Sequence, residues 1–185
     1  MLFLSASCQT QAQQPAAPAA PAAPAAPAAP KAPPAPSGLS VREIRAKANA
    51  ALSLGDFPTA ISCLEELISY LGDSTKKETI VSMEIIFFKL GICYFFTGEF
   101  DSSEKAFQTY LKKYPKGAHA LEASVYIADG YRFTQNLEKA LKEYEKLLKK
   151  YERTISMDLK TDVMSSMVRI YLSKDDWTSA MPLLK

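Results

Sequence analysis

Few residues in this sequence could carry out chemistry, and they are scattered. His119 is the single imidazole. It follows Gly117-Ala118 at an expected helix start and reads as an exposed, inert side chain, since a nucleophilic triad would need a serine and a carboxylate to converge on it. Cysteines stand at positions 8, 63 and 93, an odd number that gives no complete disulfide framework. Cys63 and Cys93 lie within apolar helical runs and are expected to be packed rather than reactive. Glu138, Glu143 and Glu145 lie among lysines and read as surface pairs on a helix. There is no P-loop, GxGxxG, HExxH or CxxC spacing. The residues therefore predict no catalytic group, no metal ligand set and no cofactor, and a protein that is not an enzyme.

Composition divides the chain in two. Residues 1–38 hold nine of the 12 prolines and one charged side chain, Lys31. From Leu39 onward there are 21 basic and 20 acidic residues, so that part has no charge surplus to draw it onto nucleic acid. Its 147 residues suffice for one ordinary core. The most apolar run, Met83 to Phe96, has 14 residues and contains Glu84 and Lys89, whereas a membrane span needs about 20.

The first eight residues end in Ser5-Ala6-Ser7-Cys8 after a short apolar run, and this resembles the end of a bacterial lipoprotein signal. The resemblance implies a lipidated Cys8 and, with Gln9 after it, the periplasmic face of the outer membrane. The apolar run is shorter than the roughly 7–15 residues of a signal and lacks a preceding Lys or Arg, which fits a true start upstream of Met1. The other reading is a terminus with a chance cysteine. Residues 9–38 form a Pro/Ala-rich linker, with proline at every third position through five AAP units. Polyproline II has about three residues per turn, so these prolines would line one face of a stiff strand spanning roughly 70 Å. A spacer that holds a domain off a membrane and a linker without special span are both open.

Residues 39–185 carry a repeat. Four helix-turn-helix units align on their turns: Gly55-Asp-Phe57, Gly98-Glu-Phe100, Gln135-Asn-Leu137 and Asp175-Asp-Trp177. Three residues after each large apolar residue comes a small one, at Ala60, Ser103, Ala140 and Ala180, spaced by 43, 37 and 40 residues. Large apolar side chains follow on the same helical face. The preceding helices have stripes too: Phe87, Leu90, Gly91 and Tyr94; Ile127, Ala128 and Tyr131; Met164, Met167, Val168 and Tyr171. The first unit is weaker, with Ile44, Ala48 and Ala51 and with Lys47 inside the pattern, as suits a terminal cap. Asp56 is expected to cap a helix, Asp101 to Glu104 to form a capping box, and Tyr114-Pro115 to stop one. Helices are expected near 41–54, 57–71, 78–97, 101–114, 118–133, 137–151, 157–173 and 176–185, with Pro182 bending or ending the last.

The pattern resembles tetratricopeptide repeats over about 145 residues, most clearly in Leu90, Gly91, Tyr94, Phe107 and Pro115. The resemblance implies an all-α fold, a right-handed superhelical solenoid of antiparallel helix pairs. Its units would be about 41–72, 80–115, 118–151 and 157–185, the last truncated, with further sequence expected beyond Lys185. The phrase Tyr110 to Ala120 is similar to envelope lipoproteins of outer-membrane protein assembly, the BamD type, and to Tol-Pal-associated periplasmic proteins.

In that family a concave groove lined by first-helix residues binds protein or peptide segments. Carried over, the groove would hold Arg42, Arg45, Asn49 and Leu52; Ile85, Phe88, Ile92, Phe95 and Phe96; Glu122, Val125, Asp129, Arg132 and Phe133; and Arg169 and Leu172. Phe88, Ile92 and Phe95 could instead pack against neighbouring helices or a second subunit, because their helix is apolar almost all round. Arg45 and Asn49 resemble the start of a carboxylate clamp, but Lys89, Glu122 and Tyr126 stand where Asn, Lys and Arg would be needed. The expectation is thus a non-catalytic interaction scaffold in the bacterial envelope with a protein or peptide partner, no nucleic acid, membrane contact only through Cys8, and oligomerisation open. The alternatives are a cytoplasmic adaptor or the docking module of a larger protein.

Overall fold

The computed structural model describes residues 37–71 and 77–184. They form helices α1 (Val41–Leu54), α2 (Phe57–Leu71), α3 (Lys77–Phe96), α4 (Phe100–Lys113), α5 (Ala120–Phe133), α6 (Leu137–Lys150), α7 (Met157–Ser173) and α8 (Trp177–Ala180), with no strand among them. Cys8 and the Pro/Ala run lie outside the described residues.

Local chemistry sets the helix ends. Ser40 opens α1 with a capping box: its hydroxyl accepts the Glu43 N–H at 3.4 Å, and the Glu43 carboxylate accepts the Ser40 N–H at 2.8 Å. Asp56 accepts the Thr59 N–H at 3.2 Å, as expected of a cap. The expected box at Asp101 to Glu104 does not form. Helix α4 begins one residue earlier, at Phe100, which places Asp101 inside the first turn, and Glu104 accepts from Gln108 and Tyr131 instead. The last helix is also cut short. Pro182 has no N–H to continue the α ladder, and Met181–Leu184 tighten into a 3-10 turn.

The four turns share one geometry. Gly55, Gly98, Gln135 and Asp175 have φ of 72°, 79°, 61° and 56°. Each following N–H reaches five residues back, Asp56 to Ala51, Glu99 to Tyr94, Asn136 to Tyr131 and Asp176 to Tyr171, at 2.8–2.9 Å. This closes each first helix in a Schellman motif and delivers the chain at the same angle into each second helix. Beyond the turn, Ala60, Ser103, Ala140 and Ala180 are all buried, where each second helix crosses its first. The alignment of four units on their turns is therefore a real structural period.

Packing then builds a solenoid. Each helix packs on the next in sequence, and α3 also touches α5. Among the described helices no other pair of first helices and no pair of second helices (α2, α4, α6) packs to that extent. Tyrosines join successive units across the stack. Tyr94 donates to Glu65 of the preceding unit, and Tyr131 donates to Glu104 at 2.5 Å. Tyr110 and Tyr144 are fully buried with Phe107. The start of the stack is polar: Glu43 and Lys47 are exposed where later units bury Ile86 and Leu90, Ala123 and Ile127, and Val163 and Met167. The first unit is thus the more polar one, as its charge pattern implied.

Candidate protein-binding face

Residues three and four apart on a helix share one side, and this places Arg42, Arg45, Asn49 and Leu52 in one stripe on α1. On α3 the stripe is Ile85, Lys89, Ile92 and Phe96. Lys89 Nζ donates to Asn49 Oδ1 at 3.0 Å and links the two stripes. Below this bond lies an open crevice of about 440 Å³ lined by Asn49, Leu52, Ser53, Lys89 and Ile92. Ile85 and Phe96 stand in solvent, at 43% and 58% exposure. Exposed large apolar side chains in a row are the feature that marks a contact surface, whereas single ones need no explanation.

Toward the turns the stripe ends in an aromatic ladder. Phe96 stacks on Phe57 with ring centres 5.3 Å apart. Phe95 sets its edge against Phe96, Phe100, Tyr126 and Phe133 at 5.0–5.9 Å. Phe100 stacks on Phe133 at 5.7 Å, and the Arg132 guanidinium covers the Phe133 ring at 4.4 Å. The residue after each of the first two turns thus stacks on the end of the next unit's first helix. On α5 the charges are already engaged. Asp129 accepts from Arg132 at 3.3 Å and from the Tyr144 hydroxyl at 2.5 Å. Burial, and then the Asp129 charge, push the Tyr144 phenol far above its ordinary range.

A family model described as a tetratricopeptide repeat matches residues 86–117 and 122–154, which are α3–α4 and α5–α6. Residues 86–117 and 122–154 carry tetratricopeptide repeats. Among solved structures, the TPR-like repeats of a kinesin light chain from Podosopora anserina are similar at 14% identity. The match has a TM-score of 0.60 and covers 78% of this chain and 71% of that one. BtubC from P. vanneervenii is similar at 19% identity, with a TM-score of 0.58 over 77% of this chain and 59% of that one. These likenesses show the fold. No curated protein sequence matches the chain significantly.

The repeats place the expected groove residues in three ways. Arg45, Asn49, Phe96 and Arg169 are exposed, and Ile92, Phe95 and Arg132 are half-buried. Phe88 is a correction. It is 7% exposed, packs against Phe107, Tyr110 and Tyr126, and lies flat on the His119 ring at 4.2 Å. Helix α3 is apolar nearly all round because α2, α4 and α5 cover three of its sides, and Phe88 serves that packing. Asp129 is also drawn into the fold through Tyr144 and Arg132.

His119 is more than an exposed residue at a helix start. Its ring Nδ1 lies 2.6 Å from Glu122, and its backbone N–H donates to the Tyr110 hydroxyl at 3.0 Å. Glu84 completes that cluster by accepting from the Tyr110 hydroxyl and from the Ala118 N–H, both at 2.9 Å, and so ties the α4–α5 loop back to α3. A glutamate interrupting an apolar run was the sequence clue to this contact. Cys63 and Cys93 are buried as expected, and burial pushes the Cys93 thiol up to about 11. Among the described residues no group of His, Cys, Asp and Glu could hold a metal ion, and no helix is long and apolar enough to cross a membrane.

Proposed function

We propose that this protein is a non-catalytic scaffold that holds a segment of another protein against its first-helix face, and that the Pro/Ala run tethers it in the bacterial envelope through a lipidated Cys8. The repeat fold supports the scaffold role, since tetratricopeptide repeats serve in general as protein-binding modules. The observation that carries the choice of face is the pair of exposed side chains Ile85 and Phe96, with half-buried Ile92 between them beside the crevice at Lys89. Solenoids of stacked helix pairs offer such a continuous surface to an extended or helical ligand. The tether rests on Ser5-Ala6-Ser7-Cys8 and on the proline period that follows it.

A photo-crosslinking side chain at Ile85 in cells should capture a discrete protein partner, whereas one at Lys142 on α6 should not. Capture at Lys142 alone would put the binding face on the second helices. For the tether, the wild-type chain should fractionate with membranes and Cys8→Ala should release it. A soluble wild type would favour a cytoplasmic adaptor.

A further inference from the structure

We infer that the edge of the solenoid formed by the α4–α5 and α6–α7 junctions seats on an anionic lipid surface. Lys116 and Arg153 make that contact together with the lysine pairs that precede them. The inference takes its setting from the envelope reading but concerns a different surface from the first-helix face.

The cations recur with the repeat. Helices α4 and α6 both end in a lysine pair, Lys112-Lys113 and Lys149-Lys150, and each pair is followed by a tyrosine, Tyr114 or Tyr151. Two residues beyond each tyrosine stands another cation, Lys116 or Arg153. The 37 residues that separate Ser103 from Ala140 also separate each member of one set from its counterpart in the other. The two sets therefore hold equivalent places in successive units, on one edge, and all six cations are exposed. Lys113 lies over the Phe87 ring at 5.3 Å and Lys150 over the Tyr151 ring at 4.7 Å, so aromatic rings of the fold hold both ammonium groups.

Little acid opposes them. Residues 112–119 contain none and residues 149–156 contain only Glu152. In the first turns that follow, Glu122 is engaged by His119, and Asp158 stands at the start of α7. At the α2–α3 junction Asp73 and Glu78 balance Lys76 and Lys77 in the sequence, so that part adds no net charge.

Helix dipoles do not account for the pattern. Lysines suit the C-terminal ends of α4 and α6, but the same rule would put cations in the last turns of α1, α2, α3 and α7, which have none. Lys116 and Arg153 lie beyond the helix ends altogether.

A second copy could offer its own turn edge as counter-charge. There, however, Asp56 and Asp176 are spent on helix caps and Glu138 on Lys174. A bilayer fits better, because its phosphates form a flat array that needs no shaped pocket. Met157, 77% exposed, opens α7 four residues after Arg153. An apolar side chain among cations is what seats a protein at the headgroup boundary, and a nucleic acid would offer Met157 no apolar phase.

The test uses the full chain purified from the cytoplasm, hence without lipid on Cys8, at low ionic strength. Sedimentation with vesicles of phosphatidylcholine alone, or with a quarter phosphatidylglycerol, reads the binding. The lipid concentration for half-binding should be at least about tenfold lower with phosphatidylglycerol, and high salt should abolish the difference. Lys116→Glu/Arg153→Glu should raise it at least about tenfold with an unchanged circular dichroism spectrum, and Met157→Ser should raise it several-fold. Lys105→Glu/Lys142→Glu, at exposed positions midway along α4 and α6, should leave it nearly unchanged. Absent or equal binding to the two vesicles, an equal loss in the Lys105/Lys142 variant, or tighter capture of polyuridylate than of vesicles would overturn the inference. So would a salt-sensitive dimer that Lys116→Glu/Arg153→Glu abolishes, which would give the edge to a second copy. Crosslinking at Ile85 and fractionation of Cys8→Ala read the partner face and the anchor separately, so either can fail without this edge, and this edge without them.

Discussion

The Ser103 hydroxyl donates to the Gly91 carbonyl at 2.9 Å, where α4 crosses α3. The crossing is that close because Gly91 has no side chain: a Cβ there would lie 2.6 Å from the Phe107 ring. We expect Gly91→Ala to destabilise the domain by about 1–2 kcal/mol, overpacking outweighing the gain in helix propensity. Gly130→Ala is the control. Its Cβ would meet Phe100 at 3.8 Å, an ordinary contact, so propensity wins and stability rises by about 0.5–1 kcal/mol. Urea unfolding of the two variants reads both signs.

The turns give a second pair of opposite effects. Gln135 and Asp175 occupy positive φ, at 61° and 56°, where Gly55 and Gly98 stand in the other units. Gln135→Gly and Asp175→Gly should each stabilise by about 0.5–1 kcal/mol by removing the left-handed penalty, and Gly55→Ala should destabilise by about 1 kcal/mol. Thermal melts check the ordering. If the glycine variants are less stable, the backbone strain assigned to these turns is wrong.

Much of this architecture was legible in the sequence because the repeat states it four times. The turn, the small residue after it and the apolar stripe fix helices and crossings together, and they located α1–α7 to within two residues. Two features were not legible. The box expected at Asp101 to Glu104 failed because Glu104 has a stronger use between units, under Tyr131. The role of Phe88 depends on how many helices cover α3, which periodicity on α3 alone cannot tell. The first-helix positions were legible as a set, but the engagement of Asp129 by Arg132 and Tyr144 emerged only from side-chain geometry.

Alkaline pH should weaken the fold in a defined window. Burial, with the Glu84 and Glu104 carboxylates beside them, pushes the Tyr110 and Tyr131 phenols up to about 12. An unfolded phenol titrates near about 10. The unfolded chain therefore loses these protons first. Stability from these groups is complete below about pH 10 and declines as pH rises from about 10 to 12. Urea midpoints measured between pH 9 and 11.5 should fall, and Tyr110→Phe should flatten the slope.

The buried thiols should be inert in the native state. Cys93 has no exposed surface, and desolvation disfavours thiolate at both Cys63 and Cys93. In a Cys8→Ser background, an aromatic disulfide reagent at pH 8 should label them only at the rate of global unfolding. Rapid labelling without denaturant would contradict the packing described for α2 and α3.

The central claim is that the exposed α1–α3 stripe holds the partner. Its most direct test is the affinity of the crosslink-identified partner for purified wild type, Ile85→Ser and Lys142→Ser, each with its melting temperature. We expect Ile85→Ser to weaken binding at least tenfold with its melting temperature within a few degrees of wild type, and Lys142→Ser to change neither. Unchanged affinity for Ile85→Ser, or a loss shared equally by Lys142→Ser, would contradict the account.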